Sequence, residues 1–256
     1  MLSLPPHALA IATQFLTRLP LRLSSAPTPR ELARSLYWYP LVGAGIGLLL
    51  LLLYLLLAEA PAPMRAGLLL LALVAITGGL HLDGVADCAD AWMGGQGDRE
   101  RTLALLKDPR AGAMAVIGVA SLLILQACAL ASLDAAQAPA ALLVAPLLGR
   151  AAVLLLVATT PYCRERGLGS ALAEGRSPAL LIAIAVIAAS VAPLMAVAGA
   201  SLSAGVIAVV VAALSFWRWR RSLMQRLGGF TGDGAGTLVE LVQTVVLVVY
   251  ALASMP

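Results

Sequence analysis

Long apolar runs alternate along this chain with short polar stretches. A helix needs about 20 apolar residues to cross the hydrocarbon of a bilayer. Runs of that kind lie at about 40–58, 64–82, 112–133, 138–160, 178–199, 203–217 and 237–254, the sixth of them short. The pattern predicts about seven transmembrane helices. Residues 5–17 are apolar but too short to span, and Pro5 and Pro6 precede them while Arg18 follows. A short interfacial or re-entrant helix is expected there. Gly43, Gly45 and Gly47 in the first span would let another helix approach closely. No long-period repeat or low-complexity linker interrupts the pattern, so residues 1–256 read as a single integral membrane domain.

Composition sharpens the picture. The chain is 61% hydrophobic and only 12% charged, with a mean hydropathy of +0.95. Soluble domains carry about 25% charged residues, so there is too little charge here to clothe a soluble fold. Aromatics are only 5%, and Leu, Ala and Val dominate. A membrane β-barrel needs short alternating strands and aromatic girdles, which leaves an all-α polytopic membrane protein. The three cysteines are scattered and show no zinc or disulfide spacing.

The charges fall in a pattern of their own. Of the seventeen Lys and Arg residues, all but Arg65 and Arg150 lie in four alternate polar stretches. These stretches hold Arg18 to Arg34, Arg99 to Arg110, Arg164 to Arg176, and Arg218 to Arg226. Basic residues mark cytoplasmic loops, so all four stretches are expected inside and the C-terminus outside. The net charge of +4 then records topology and gives no reason to expect a nucleic-acid partner.

Chemistry concentrates in Gly78-Gly79-Leu80-His81-Leu82-Asp83-Gly84-Val85-Ala86-Asp87-Cys88-Ala89-Asp90. On a helix, Asp83, Asp87 and Asp90 share a face within roughly 60°. Their mutual repulsion is relieved if a divalent cation sits among them, and an all-oxygen set suits Mg²⁺ held jointly by carboxylates and substrate phosphates. A solvated helix start could carry the same acids. Gly84 removes side-chain bulk where a phosphate or metal would come close. His81 lies about 200° from Asp83 and so off the aspartate face, as a candidate acid, base or phosphate donor.

Three further clusters accompany the motif. Lys107, Asp108 and Arg110 form a charged stretch in which the cations can bind polyphosphate, and Asp108 can add a ligand or orient Lys107. Arg150 lies near the end of an apolar span, ahead of Pro161-Tyr162-Cys163-Arg164, and needs a partner or an aqueous cavity. Gly228-Gly229-Phe230-Thr231-Gly232-Asp233-Gly234-Ala235-Gly236 is a glycine-rich loop able to cradle phosphate, with Glu240 embedded beyond it. Trp217-Arg218-Trp219-Arg220-Arg221 reads as an interfacial anchor. The residues themselves thus point to phosphoryl transfer with a metal at the cytoplasmic membrane face.

Taken together, the segments resemble the cobalamin synthase family, the adenosylcobinamide-GDP ribazoletransferases. The matching blocks are Phe15-Leu16-Thr17-Arg18-Leu19-Pro20, Tyr39-Pro40-Leu41-Val42-Gly43, Gly79 to Asp87, Lys107-Asp108-Pro109-Arg110-Ala111-Gly112-Ala113, Pro161-Tyr162-Cys163-Arg164, and Gly229-Phe230-Thr231-Gly232-Asp233. They stand in the family order, and Cys163 departs from an expected alanine. The resemblance implies a multi-pass Mg²⁺ enzyme of the bacterial inner membrane with its active site on the cytoplasmic side. It would transfer the adenosylcobinamide phosphoryl group from adenosylcobinamide-GDP to α-ribazole or its 5′-phosphate, with GMP leaving. On that reading Asp83, Asp87 and Asp90 hold the metal, and Lys107, Arg110 and Arg164 clamp phosphates. Gly84, Arg150, Thr231, Gly232, Asp233 and Glu240 complete the substrate site. His81, Asp108, Asp233 and Glu240 are the alternatives for the proton acceptor. Beyond the substrates and the lipid bilayer no partner is required, and homo-oligomer formation is left open.

Two rival readings remain at this level. A CDP-alcohol phosphotransferase also uses an Asp-Gly motif, but Ala86 is followed here by Asp87 instead of Arg. A transporter would place Asp83, Arg150 and Glu240 on an ion path. The predicted topology has its own test. A phosphatase reporter that works only after export should be active when fused after residue 256 and inactive when inserted near residue 106. The reverse pattern would overturn the cytoplasmic placement of the four basic stretches.

Overall fold

A computed structural model describes residues 7–23, 25–164 and 177–255. Arg166 and Arg176 of the third basic stretch lie outside the described residues. The chain forms α1 (His7–Leu16), α2 (Pro29–Ser35), a 3₁₀ turn (Leu36–Trp38), α3 (Tyr39–Leu56), α4 (Ala62–Thr77), α5 (Leu80–Gly94), α6 (Arg99–Leu105), α7 (Ala113–Ala131), α8 (Ala138–Thr159), α9 (Pro178–Ala198), α10 (Leu202–Leu227) and α11 (Gly232–Ala253). The all-α reading holds. Among the described residues five helices are long and apolar enough to cross a membrane, six if α4 and α5 are counted as one broken span. The described apolar part of α9, Ala179–Val191, is shorter.

Helix α8 is the axis of the bundle. Its apolar window is 83% buried, against 28% for α7 and α10, whose outer faces are left to lipid. A helix that is apolar all round belongs in a core. Helix α3 lies along it through Gly43 and Gly47, whose missing side chains would strike the α8 backbone at Pro146 and Leu142. Pro146 lacks the N–H that would bond Leu142, so the Leu142 carbonyl is short of a donor. A Cβ on Gly47 would stand 2.5 Å from that oxygen, so the Gly47 Cα–H faces it. Gly45 points into open space and takes no part, contrary to its expected role.

Two expectations about element ends change. The second span stops at Thr77, because Gly78 and Gly79 both turn left-handed with φ of 65° and 70°. The chain bends by 91° there, so α5 is not a continuation of the α4 span. The Arg18 side chain fills the space beside Gly78, and the Arg18 backbone N–H donates to the Ile76 carbonyl at 2.7 Å. Helix α10 runs on from the short sixth span to Leu227, so the Trp217–Arg221 anchor is helical.

The glycine contacts predict a contrast. Replacing Gly47 with Leu should cost about 3 kcal/mol, the upper end of overpacking, because backbone is what must yield. Gly45→Leu should be tolerated. Thermal stability in detergent of the two variants measures the difference, and equal stability would refute the packing.

Candidate active site

The site is assembled where α5 crosses α11. A Cβ on Gly84 would lie 2.6 Å from the Asp233 carbonyl oxygen, and one on Gly236 would lie 3.3 Å from the His81 Cα. The Thr237 hydroxyl donates to the Gly84 carbonyl at 2.8 Å. Gly84 therefore makes room for a helix backbone, which corrects its expected role beside phosphate. The crossing sets the first turn of α11 against the acidic motif.

Asp83 is exposed and Asp87 half-buried on the open face of α5. Burial first, then the charges of Asp83 and Asp233, push the Asp87 carboxyl up to about 6 against the pull of Arg164. Like charges held this close disfavour joint ionisation, and a cation among them would relieve the repulsion. Asp90 is engaged elsewhere. Its two carboxylate oxygens accept from the Gly112 N–H at 2.5 Å and the Ala115 N–H at 2.9 Å. It thus caps the start of α7, where the helix dipole favours an anion. That departs from the metal-ligand role expected from spacing alone.

Opposite the aspartates, two short stretches zip together. The Phe230 N–H donates to the Pro161 carbonyl at 2.9 Å, and the Cys163 N–H to the Phe230 carbonyl at 3.1 Å. Gly229 allows this, since a Cβ there would meet the Pro161 carbonyl oxygen at 2.5 Å. The pairing brings Arg164 to Asp233, with Nη2 donating to Oδ2 at 2.8 Å and to the Leu106 carbonyl at 3.2 Å. The Arg164 Nε is buried and has no partner among the described residues. Only Gly228 to Thr231 of the expected glycine-rich loop stays non-helical; Gly232 to Gly236 open α11. Thr231 is fully buried and caps the helix by accepting from the Gly234 N–H at 3.0 Å. The N–H groups of the first turn, at the positive end of a long helix, are a ready anion seat.

These groups surround a cleft of about 280 Å³. Asp83, Arg164, Gly232, Asp233 and His81 make up its polar lining. Phe15, Tyr39, Tyr162 and Phe230 stand among its apolar lining.

Two groups of expected residues lie apart from it. Asp108 and Arg110 pair with each other, Nη2 to Oδ2 at 2.8 Å and Nε to Oδ1 at 3.0 Å. The guanidinium holds the Asp108 carboxyl down to about 2, which makes it a poor proton acceptor. Lys107 is exposed, next in sequence to the Leu106 carbonyl that Arg164 holds. Arg150 and Glu240 lie deep in the bundle. Gln126 donates to Glu240 at 2.9 Å and to Thr244 at 2.8 Å, and Arg150 donates to Gln243. The His81 Nδ1 is 3.9 Å from Glu240 Oε1. Glu240 and Arg150 also attract each other through space. This polar knot braces the crossing from beneath, where sequence had placed substrate contacts. The two glutamines and Thr244 were missed as site residues, although polar side chains in apolar spans were the available signal.

The cobalamin-5-phosphate synthase family matches residues 8–251. An adenosylcobinamide-GDP ribazoletransferase of Stutzerimonas stutzeri is 50% identical over 246 residues, covering 95% of this chain and 97% of that protein. Proteins of the same name from Pseudomonas syringae and Pseudomonas aeruginosa are 49% and 46% identical, each covering 98% of its own length and 94% and 96% of this chain. No solved structure matches the chain. Similarity that runs end to end at this level, and takes in each block that builds the cleft, means that the chain belongs to the cobalamin-5-phosphate synthase family.

Proposed function

We propose that this protein transfers the adenosylcobinamide phosphoryl group from adenosylcobinamide-GDP to α-ribazole or its 5′-phosphate, releasing GMP. The observation that carries the reading is the cleft in which Asp83 of α5 and Asp233 of α11 stand with Arg164 and the N-terminus of α11, with Asp87 one turn along α5 from Asp83. Relatives that match over nearly their whole length carry the corresponding name.

The chemistry follows from what each group can do. A free ribose hydroxyl of the acceptor, present in both α-ribazole and its 5′-phosphate, attacks the phosphorus that bears the corrinoid. A new P–O bond forms, the bond to the bridging oxygen breaks, and that oxygen leaves with GMP. The hydroxyl proton passes to solvent or to a nearby acceptor in the cleft. Such transfer depends on positioning and on neutralising charge. Arg164 has an unspent Nε–H beside the cleft and a guanidinium fixed by Asp233 and the Leu106 carbonyl. It is suited to hold a phosphate in one orientation. The N–H groups of Gly232 and Asp233 add donors and the positive end of the α11 dipole.

Asp83 and Asp87 fit Mg²⁺. Among the described residues no three His, Cys, Asp or Glu side chains converge as a closed metal cage. Mg²⁺ does not need one, since it commonly takes one or two carboxylates together with substrate phosphates. Bound there, it would supply charge neutralisation to the diphosphate. The cytoplasmic placement rests on the basic stretches, and the inner membrane on the same topology.

Asp83→Asn and Asp87→Asn should each lower GMP release by at least about 100-fold, as loss of several kcal/mol of charge stabilisation implies. In chelator, Asp87→Asn should melt no lower than the unmodified protein, because it removes a crowded charge. Mg²⁺ should raise the melting temperature of the unmodified protein and not that of the variant. Near-normal turnover in either variant, or absence of GMP with both substrates and Mg²⁺ present, would refute the proposal.

A further inference from the structure

We propose that the aromatic lining of the cleft seats the aromatic base of the acceptor, with Phe15 as its principal contact; this rests on the reaction proposed above. The lining is of two kinds. Asp83, Asp233, Arg164 and Gly232 are charged or polar. Phe15, Tyr39, Tyr162 and Phe230 supply two ring pairs. Phe15 and Tyr39 stack with centroids 6.0 Å apart and planes at 22°. Tyr162 and Phe230 meet edge to face at 5.3 Å and 67°. Val153 of α8 and Val239 of α11 add to the apolar lining.

Three large groups take part in the proposed reaction, and the cleft discriminates among them. A corrin ring with its side chains is far larger than about 280 Å³. Guanine presents two donor groups and a carbonyl acceptor along one edge, and a site that reads it must answer them or leave them unpaired. Among the described residues no Asn or Gln side chain lines the cleft, and of its two carboxylates Asp233 is taken up by Arg164 while Asp83 is assigned to the metal. The base of α-ribazole is a dimethylated benzimidazole. Once joined to ribose it has one acceptor nitrogen, no donor and two methyl groups. Stacking and apolar contact suit it, and such contact with rings is the usual means of holding a base without reading its edge.

Tyr162 and Phe230 stand two residues from Arg164 and Gly232, so a base seated among the rings keeps its ribose within reach of the groups that hold phosphate. A free ribose hydroxyl is then presented to the donor's phosphorus. The rings come from α1, α3 and the zipped loops, and Val239 sits on the helix whose first turn carries Asp233. One helix therefore serves both ends of the acceptor.

The experiment has a kinetic and a binding arm. In detergent with Mg²⁺, Phe15→Ala should raise KM for α-ribazole about tenfold while KM for adenosylcobinamide-GDP stays the same, and Phe15→Tyr should restore it. Ala235→Leu, which adds bulk inside the cleft instead of removing packing, should raise the same KM. Separately, free 5,6-dimethylbenzimidazole should bind the unmodified protein, measured by its own fluorescence, and bind Ala235→Leu about tenfold more weakly. A rise in the KM of the corrinoid donor instead, or no change in either KM, would overturn the subsite while leaving the reaction standing. Binding of the free base that Ala235→Leu weakens, with no GMP released by the unmodified protein, would support the subsite and sink the reaction.

Discussion

The crossing of α5 over α11 is the contact on which the site depends. Two glycines, one on each helix, let the backbones meet, and the Thr237 hydroxyl locks them through the Gly84 carbonyl. In lipid the hydrophobic effect gives helices no reason to prefer one another over acyl chains. Close backbone approach and hydrogen bonds across the gap take over that task. The crossing lays the first turn of α11 beside Asp83 and Asp87, and it does so only because Gly78 and Gly79 have turned α5 out of line with α4. Straightening that turn would carry the aspartates away from Asp233 and Arg164 without altering one catalytic side chain.

Beneath the crossing, the protein buries an arginine, a glutamate, a histidine and two glutamines. Leaving any one of them unpaired would be expensive at this depth. They are held as a set: Arg150 on α8 with Gln243 and Glu240 on α11, Glu240 with Gln126 on α7 and near His81 on α5. The set joins the four helices that meet under the cleft. A buried polar network adds little net stability over an apolar one, but it penalises wrong registers severely. Gly149, packed against the Val239 carbonyl, brings α8 close to α11 at the same level. Depth and register at the cleft are thus set by polar matching, while the surrounding apolar packing is comparatively permissive.

Much of this was readable in the chain. Hydropathy pointed to the helices, the spacing of Asp83, Asp87 and Asp90 to a metal, and the glycine-rich run around Asp233 to phosphate. What could not be read were pairings between distant segments. Asp90 looks like a third metal ligand by period alone, yet it serves the N-terminus of α7, more than twenty residues on. Gly84 looks like a gap for substrate and is a gap for α11. Sequence groups Arg164 with Lys107 and Arg110 as phosphate clamps; only the pairing of the Pro161–Cys163 and Gly229–Phe230 strips sets it apart by fixing it on Asp233. Period and composition report which face a residue shares with its own helix. They are silent on which other element that face meets.

The cleft's mixed lining follows from where the crossing sits. The first turn of α11 offers N–H groups and Asp233, and further along the same helix offers Val239 and packs on apolar α8. The aromatic residues of α1 and α3 complete the apolar lining. That placement also explains why the acids sit on a helix bent out of the span. Held within the hydrocarbon, three neighbouring carboxylates would surrender their charge; laid across its edge, Asp83 stays exposed and Asp87 only half-buried.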